Sequence, residues 1–308
     1  MLQVIVKNEF AGINFIDTYH RGGLYPRELP FIGGQEGGGT IVEASPEAEA
    51  KGLAVGDRVA YSVLGTYCEY TAVPADKILS VPASIPLDVA QALLTQGLTA
   101  HYLTTDCTAG LIQEGEWMLI HGVGSGACQW AAQMAKIQGY RVIGTTSASK
   151  EAVAQATGVD ELIVLDEVAG TSYEDYTSKD ITKLVTDITD GALCKAVIDG
   201  IGLATYEISL ACTGQRGIFI TFGNASGAVP AYPPLKHIAK SSFMTRPKLL
   251  DYTRNREELM CRANDIFDWI ADGSLKVSVD KTFSLDEAAD GHRYLEAGMS
   301  RGKVVYKI

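Results

Sequence analysis

A short glycine turn near the middle of the sequence carries residues that could bind an anion. The apolar run Met118–Ile120 ends at this turn, and residues 127–136 then follow a helical pattern of apolar side chains. A strand that leads through glycines into a helix N-terminus offers backbone N–H groups and a partial positive charge. The turn therefore predicts a site for the diphosphate of a dinucleotide. The residues predicted to bind it are Gly124, Ser125, Gly126 and Ala127.

The end of the next predicted strand bears on which coenzyme would bind. NAD-binding folds usually place a carboxylate there, where it accepts a hydrogen bond from the ribose 2′-hydroxyl. Residues 144–150 contain no acidic residue, and Lys150 could pair with a 2′-phosphate. This pattern favours NADPH, and a solvated loop with a surface lysine is the other interpretation. The candidate residues in this loop are Thr146, Ser147 and Lys150.

Two later strand ends could also face the coenzyme, because ligands of open α/β sheets bind at the carboxyl ends of the strands. The candidate residues there are Gly200, Phe222, Gly223 and Asn224. Arg246 precedes Pro247, and both a structural role and a role in a cleft stay open. His101 and His121 are interpreted as structural histidines rather than as general bases.

The elements that must position these residues alternate between apolar runs and helix-like segments. Runs at 141–145, 162–165, 196–198 and 218–222 follow the first strand, which predicts a doubly wound parallel sheet of the Rossmann type. Residues before about 91 are β-rich and punctuated by glycine. A length of 308 residues favours two domains. We predict a nucleotide domain over 95–248 and a β-rich domain formed by 1–94 with 249–308.

Composition excludes several classes of protein. The net charge of −11 argues against a nucleic-acid surface, which needs a clustered basic face. No apolar run is long enough to span a bilayer, and the first residues lack a signal-peptide pattern. The six cysteines show neither a C-x-x-C pair nor zinc-ligand spacing with histidine, so we expect reduced thiols and a cytoplasmic protein.

Several segments together give the chain a family resemblance. Their order and spacing are more informative than any one segment alone. The segments are Gly12–Tyr19, Gly23–Pro26, Gln96–Tyr102, Phe222–Gly227 and Thr245–Pro247. The chain resembles the zinc-independent quinone oxidoreductases, the ζ-crystallin-like group of the medium-chain dehydrogenase/reductase superfamily. The resemblance implies a GroES-like β-rich catalytic domain, an NADPH-binding Rossmann domain, a cleft between them and frequent homodimers.

The resemblance also implies which side chains would meet a quinone. A quinone accepts hydride and develops negative charge on oxygen, which neutral hydrogen-bond donors stabilise. The matching candidates in this sequence are Asn14, Tyr19, Tyr25 and Gln96. A structural role stays open for the first of them, because Asn14 and Asp17 also fit a helix capping box.

Zinc is not expected in this chain. Zinc-dependent members of the superfamily carry a histidine and a cysteine where this sequence has Gln35 and Ile16, and those two types of side chain are what hold a catalytic zinc. The resemblance also shows departures. Cys128 stands where the glycine turn of relatives ends in glycine, Leu165 replaces a coenzyme-contacting tyrosine, and Gly298 replaces an arginine that Arg301 could substitute. About two strands that begin the family fold have no counterpart in this sequence, so either the sequence is short or the β-rich domain has a missing sheet edge.

The leading functional hypothesis is therefore an NADPH:quinone oxidoreductase that needs no zinc. Reduction of α,β-unsaturated carbonyl compounds is a close alternative, since a polarised double bond is also a hydride acceptor. A non-catalytic NADPH-binding protein is the alternative from another class. The apolar residues 241–245 predict an edge strand of the Rossmann sheet, which favours a homodimer over coverage by a loop.

Overall fold

A computed structural model describes residues 3–169, 179–237 and 239–308 of the chain. It divides into two compact units. The first, here called the terminal unit, comprises Met1–Leu98 and Tyr252–Ile308, and the second, the central unit, comprises Thr99–Asp251. The predicted boundaries lay at 94/95 and 248/249, and those of the two units lie at 98/99 and 251/252.

The described residues form thirteen strands and ten α-helices. The strands are β1 (Gln3–Ile13), β2 (Gly37–Ala44), β3 (Arg58–Tyr61), β4 (Tyr70–Pro74), β5 (Ile78–Ser80), β6 (Trp117–Ile120), β7 (Arg141–Thr146), β8 (Glu161–Val164), β9 (Cys194–Asp199), β10 (Thr213–Thr221), β11 (Phe243–Thr245), β12 (Val279–Ser284) and β13 (Lys303–Lys307). The helices are α1 (Phe15–Arg21), α2 (Pro46–Glu49), α3 (Leu87–Ala92), α4 (Leu98–Thr104), α5 (Gly126–Ile137), α6 (Glu151–Gln155), α7 (Thr182–Ile188), α8 (Tyr206–Cys212), α9 (Arg256–Ala271) and α10 (Ala288–Glu296).

The terminal unit is built on a seven-stranded sheet with the order β12-β13-β1-β2-β3-β5, and β4 pairs with β1. All of its pairs are antiparallel except β12 with β13. Alternate residues of β1, such as Val4 and Val6, are buried, because successive side chains of a strand point to opposite faces. β1 is paired along both edges, so the first described strand does not leave an open sheet edge.

The central unit is built on a six-stranded parallel sheet with the order β11-β10-β9-β6-β7-β8. Numbered along the chain, this is the 3-2-1-4-5-6 order of dinucleotide-binding folds. All four residues of β6 are buried, as expected for a parallel strand covered by helices on both faces. The predicted fold class, a doubly wound parallel sheet together with a β-rich domain, is thus confirmed.

Helix α5 follows the glycine turn directly. Ser125 is its N-cap residue, and Trp130, Ala131 and Met134 are buried on its inner face. The helix is capped by Gln138, and Gly139 follows with a φ of 80°, a left-handed conformation that glycine adopts without a steric penalty. The apolar spacing seen in the sequence therefore reflects packing of α5 on the parallel sheet.

None of the described helices combines the length and the apolar character that crossing a membrane requires.

Candidate functional site

The glycine turn links the end of β6 to the N-terminus of α5. Gly122 and Gly126 have φ values of 72° and 52°, which a residue with a Cβ atom rarely adopts. Three amides of the turn donate hydrogen bonds within the central unit. Gly122 N–H donates to Thr145 Oγ1, Val123 N–H to the Thr145 carbonyl and Ser125 N–H to the Gly122 carbonyl. The first amides of α5, at Gly126 and Ala127, precede its hydrogen-bond ladder and are placed to bind an anion.

The predicted phosphate loop after β7 lies against this turn. A Cβ atom on Gly124 would lie 2.6 Å from Thr146 Oγ1 and 2.7 Å from Lys150 Cβ, so only glycine permits this approach. Thr146 is buried, and its Oγ1 has no hydrogen-bond partner among the described residues. An unpartnered buried hydroxyl beside the N-terminus of a helix fits an oxygen-rich ligand such as a phosphate group. Ser147 lies at the start of the loop, with its Oγ 3.1 Å from Ser149 Oγ.

A carboxylate that sequence analysis missed reaches the same loop. Asp166 follows β8, and its Oδ2 accepts a hydrogen bond of 2.6 Å from the Ala148 N–H. The acid is absent from the local sequence 144–150, but the parallel sheet brings the end of β8 beside the end of β7. The loop between β7 and α6 thus contains the cationic Lys150 and is also reached by the Asp166 carboxylate through a backbone donor.

The structure brings the later candidate residues together. Phe222 N–H donates to the Asp199 carbonyl at 2.9 Å, and a Cβ atom on Gly223 would lie 2.2 Å from the Gly200 carbonyl oxygen. A Cβ atom on Gly200 would in turn lie 2.8 Å from the Phe222 ring. Asn224 follows in the same loop, and Arg246 Nη1 donates to the Gly223 carbonyl at 2.9 Å and to Thr221 Oγ1 at 3.0 Å. Arg246 therefore supports the ends of β10 and β11.

A pocket opens at the carboxyl ends of β6, β7 and β8 and reaches the loop after β9. Its polar wall contains His121, Thr145 and Thr146, whereas its apolar wall contains Leu165, Ile181 and Ile201. Only Thr146 was predicted as a site residue, because the apolar members come from segments that are far apart in sequence. Leu165, at the place of a tyrosine in relatives, thus lines the pocket.

Cys128, the residue that departs from the glycine pattern, lies in the first turn of α5. It is buried, and burial together with the charge of Asp199 raises the pKa of its thiol to about 12. The protonated thiol therefore packs as a small apolar group, in keeping with the tight approach of helix and sheet.

In the terminal unit, Asn14 is held by two buried charged side chains. Asn14 is the N-cap of α1 and forms a capping box with Asp17, whose side chain accepts the Asn14 N–H. Asn14 Oδ1 also accepts from Lys303 Nζ at 2.8 Å, and Nδ2 donates to Glu36 Oε1 at 2.8 Å. Lys303 also bonds Glu36 at 2.5 Å and the Ile13 carbonyl at 3.3 Å. All three ammonium hydrogens are thereby used, and the second Nδ2 hydrogen of Asn14 has no acceptor among the described residues.

Gln96 lies on a π-helical turn, Leu93–Gly97, between α3 and α4. Asn14, Glu36 and Lys303 are here called the Asn14 cluster. The π-helical turn directs the Thr95 N–H to Glu36 Oε2 at 2.6 Å, which joins Gln96 to this cluster through the backbone. Gln96 is buried, and its Oε1 has no partner among the described residues. π-helical turns recur at functional sites because they re-aim side chains within a helix.

Asp17 completes the cluster on the α1 side. Its Oδ2 accepts hydrogen bonds from Asn14 N–H at 2.8 Å and from Tyr67 OH at 2.9 Å. Burial raises the pKa of Asp17 to about 7, although both of these hydrogen bonds and the charge of Lys303 oppose the shift. The capping role considered for Asp17 is therefore present, with the carboxyl poised to exchange a proton near neutral pH.

Tyr19 and Tyr25 lie on one side of α1. Their ring centroids are 5.4 Å apart in an edge-on arrangement, and Tyr25 N–H donates to the Tyr19 carbonyl at 3.2 Å. Tyr25 belongs to an exposed apolar stretch that includes Leu24, Leu29 and Ile32. The two tyrosines, which follow Asn14 in sequence, thus form a phenolic and apolar surface.

Gln35 and Ile16 stand at the positions where zinc ligands were considered. Gln35 Oε1 is buried without a partner among the described residues, and Ile16 is half-buried on α1. Within the described part of the chain, no three His, Cys, Asp or Glu side chains are grouped so as to hold a metal ion. Arg301, considered as a replacement for a phosphate-binding arginine, lies in the terminal unit and donates its N–H to Asp280.

A glycine turn at the carboxyl edge of a six-stranded parallel sheet defines the central unit as a dinucleotide-binding domain. Sequence comparison extends this assignment to the whole chain. Residues 2–83 match the profile described as alcohol dehydrogenase GroES-like domain, and residues 163–305 match that described as zinc-binding dehydrogenase.

Full-length relatives are more specific. A quinone oxidoreductase of Pseudomonas aeruginosa is 36% identical, with 98% of this chain and 90% of the relative covered. A 2-haloacrylate reductase of a Burkholderia species is 32% identical, with coverages of 98% and 90%. The crystal structure of Escherichia coli quinone oxidoreductase complexed with NADPH matches with a TM-score of 0.90 and 34% identity, covering 100% of this chain and 92% of that one.

These matches confirm the resemblance inferred from the sequence. The chain belongs to the quinone oxidoreductases of the medium-chain dehydrogenase/reductase superfamily.

Proposed function

We propose that the chain is an NADPH-dependent quinone reductase that transfers hydride to a quinone without a catalytic zinc ion. The observation that carries the proposal is the approach of Gly124 to Thr146 and Lys150. It brings the Lys150 side chain and an unpartnered hydroxyl beside a glycine turn of the kind that binds diphosphates, in a chain 36% identical to a quinone oxidoreductase. A 2′-phosphate next to the Lys150 ammonium would account for a preference for NADPH over NADH.

Each coenzyme-binding residue has a distinct part in this proposal. The amides of Gly124, Gly126 and Ala127 bind the diphosphate, with Ser125 at the N-cap contributing its hydroxyl. Thr146, Ser147 and Lys150 bind the ribose phosphate. Gly200, Phe222, Gly223 and Asn224, which the structure gathers at the ends of β9 and β10, contact the nicotinamide portion. When bound, NADPH supplies the hydride.

Asn14 is the proposed donor to the acceptor carbonyl. The Lys303 and Glu36 contacts fix which end of the Asn14 amide carries nitrogen, so that its second N–H is available for a quinone oxygen. A preorganised donor of this kind stabilises the negative charge that hydride transfer places on oxygen. Gln96 Oε1 accepts from a hydroxyl as the hydroquinone forms, and Tyr19 and Tyr25 contact the ring or supply the proton.

The test is coenzyme oxidation by purified protein, measured as loss of nicotinamide absorbance with 1,2-quinones, 1,4-quinones and 2-alkenals. We expect the highest kcat/KM with NADPH and a quinone. Asn14→Ala should lower kcat about 100-fold, the usual cost of removing one oxyanion donor. Asn255→Ala, which removes the N-cap of α9 in the same unit, is the control and should retain kcat. Absence of NADPH oxidation by every acceptor would contradict the proposal.

Reduction of α,β-unsaturated carbonyl compounds is the second candidate. It is favoured by the 2-haloacrylate reductase at 32% identity, and the same donor would stabilise the enolate formed by hydride addition. A higher kcat/KM for 2-alkenals than for any quinone would select it. Tight NADPH binding with no turnover of either class would select a non-catalytic NADPH-binding protein.

We also propose a homodimer formed through β11. This three-residue strand ends the six-stranded sheet, and Phe243 and Met244 are exposed to 50% and 41% on it. An exposed apolar edge strand is suited to pair with a second copy across a two-fold axis. The cytoplasmic location expected from the sequence stays a prediction.

A further inference from the structure

A chain of four buried polar side chains runs from the end of β9 to the glycine turn. Asp199 Oδ2 accepts from Ser209 Oγ at 2.7 Å, and Ser209 Oγ lies 3.1 Å from His121 Nε2. His121 Nδ1 lies 3.3 Å from Thr145 Oγ1, which accepts the Gly122 N–H at 3.1 Å. Each of the four side chains is at least 98% buried.

Donor and acceptor chemistry allows only one direction of hydrogen bonding along these four side chains. Asp199 accepts from four donors, namely Ile201 N–H, Gly202 N–H, Thr205 OH and Ser209 OH, which fill the acceptor sites of a carboxylate. Because Ser209 gives its hydrogen to Asp199, its oxygen must accept the His121 Nε2–H. His121 Nδ1 is then bare and accepts from Thr145 OH.

The charge state of His121 agrees with this direction. Burial lowers the pKa of His121, although the charge of Asp199 opposes the shift, so the ring is neutral at neutral pH. A neutral imidazole has one donor and one acceptor nitrogen, which is what a chain between Ser209 and Thr145 requires.

The end of the chain fixes the backbone of the turn. Thr145 accepts two successive amides, Gly122 N–H through its side chain and Val123 N–H at 3.0 Å through its carbonyl. These bonds hold Gly122 in its left-handed conformation, in the turn that leads to the first amides of α5.

We propose that Asp199, Ser209 and His121 are positioning residues for the coenzyme, which lock the glycine turn through Thr145 with His121 in its Nε2–H tautomer. The inference rests on the proposed NADPH binding, but it concerns side chains to which that proposal gives no role. His121 thus has a role beyond packing in the core. Its tautomer links the Asp199 carboxylate to the Gly122 N–H through Ser209 and Thr145.

The first test reads the tautomer of His121 in the coenzyme-free protein by long-range ¹H–¹⁵N correlation with ¹⁵N-histidine, assigned with His121→Gln. The wild type should show Nε2–H. Asp199→Asn replaces an acceptor by a donor of equal size, and its amide nitrogen would face Ser209. Ser209 must then turn its hydrogen toward His121, which moves the imidazole proton to Nδ1. A tautomer that is unchanged in Asp199→Asn, or Nδ1–H in the wild type, would overturn the inference.

The second test measures NADPH affinity by nicotinamide fluorescence. Ser209→Ala breaks the chain without altering a residue that lines the pocket, and should weaken NADPH binding about tenfold, as expected for loss of roughly one hydrogen bond. Thr213→Val is the matched control. It also removes a buried hydroxyl, but among the described residues that hydroxyl donates to the Ser209 carbonyl at 2.7 Å and to no side chain of the four, so NADPH affinity should be unchanged.

The outcomes separate this inference from the proposed function. Equal NADPH affinity in the wild type, Ser209→Ala and Asp199→Asn would overturn the inference alone. Equal weakening by Thr213→Val would also overturn it, since any loss of a buried hydroxyl would then suffice. A wild type that shows no NADPH binding overturns the proposed function first, and the positioning role with it, whatever the tautomer.

Discussion

Buried oxygens without partners mark both proposed sites at the scale of single residues. Thr146 Oγ1 beside the glycine turn, together with Gln96 Oε1 and Asp17 Oδ1 near Asn14, has no partner among the described residues. A buried polar atom that makes no hydrogen bond costs about 1–3 kcal/mol. Bound ligands that supply the missing hydrogen bonds would offset this cost.

Lys150 should determine the choice of coenzyme. Lys150→Ala removes the cation of the loop between β7 and α6, and a charge-assisted hydrogen bond contributes about 1.5–3 kcal/mol. We therefore expect KM for NADPH to rise at least about tenfold while KM for NADH stays nearly constant. Steady-state rates with both coenzymes provide the measurement.

The control for this substitution is Lys136→Ala in α5. Lys136 forms a partly exposed ion pair with Asp160 in the same unit and should change neither KM. Equal increases for NADPH and NADH in Lys150→Ala would remove Lys150 from the phosphate site.

Asp17 should give stability a specific pH dependence. Its pKa is raised from 3.8 to about 7 in the folded state, so unfolding releases a proton between these pH values. The free energy of unfolding contributed by Asp17 is therefore greatest below 3.8, falls with rising pH by up to about 1.4 kcal/mol per unit, and is level above 7. Asp17→Asn should remove this dependence and make the protein more stable than the wild type at alkaline pH.

Urea unfolding across the pH range would measure the effect of Asp17. Asp290→Asn, which alters an exposed carboxylate on α10 paired with Arg293, serves as the control and should follow the wild-type curve. A difference between Asp17→Asn and the wild type that does not vary with pH would show that the pKa of Asp17 is the same in the folded and unfolded states.

At the scale of elements, the Asn14 cluster joins segments from distant parts of the sequence. Lys303 begins β13, Glu36 directly precedes β2, and Asn14 lies between β1 and α1. The π-helical turn Leu93–Gly97 adds the Thr95 N–H. Because β13 and β2 both pair with β1, the sheet itself brings the ammonium and the carboxylate together.

Lys303 and Glu36 should therefore be strongly coupled in stability. Both side chains are fully buried, and removing one member of such a pair costs about 3–5 kcal/mol because the other charge is left uncompensated. We expect Lys303→Met and Glu36→Gln each to destabilise by this amount, and the double variant to be clearly more stable than the sum of the two predicts. A double-mutant cycle by urea unfolding measures the coupling, and simple additivity would show that the two charges do not interact.

At the scale of the whole molecule, the apolar surface of β11 is the most direct indication of assembly. β11 pairs with β10 alone among the described strands, in parallel register from Phe243 to Thr245. Its exposed Phe243 and Met244 form part of a sheet edge, which a second copy would cover.

The expected assembly can be tested by light scattering. The wild type should have the mass of a dimer, and Phe243→Asp should have the mass of a monomer, because a charge on the edge strand opposes apolar pairing. Leu184→Asp places the same charge on an exposed leucine of α7 and should remain dimeric. A wild-type monomer, or a dimeric Phe243→Asp, would place the interface elsewhere or exclude it.

Much of the fold could be predicted because parallel strands leave a strong local signal. Buried on both faces, β6 and the inner segments 196–198 of β9 and 218–220 of β10 are continuous apolar runs. Short edge segments gave weaker signals. Within the β-rich segment before residue 91, the strands are as short as β5, Ile78–Ser80, and residues 53–55 lie outside any strand. Turn residues around Gly56 interrupt the alternation of apolar and polar residues there, so the local pattern did not define which strands pair.

The sequence by itself determined the glycine turn, the parallel sheet and the absence of an acidic residue in 144–150, because each depends on neighbours along the chain. Only the tertiary structure decided which distant side chains act on those segments. It brought Asp166 to the loop after β7, Lys303 to Asn14, and Asp199 through His121 to Gly122. Contacts of this kind arise from strand order and burial, and a local pattern of residue types carries no information about them.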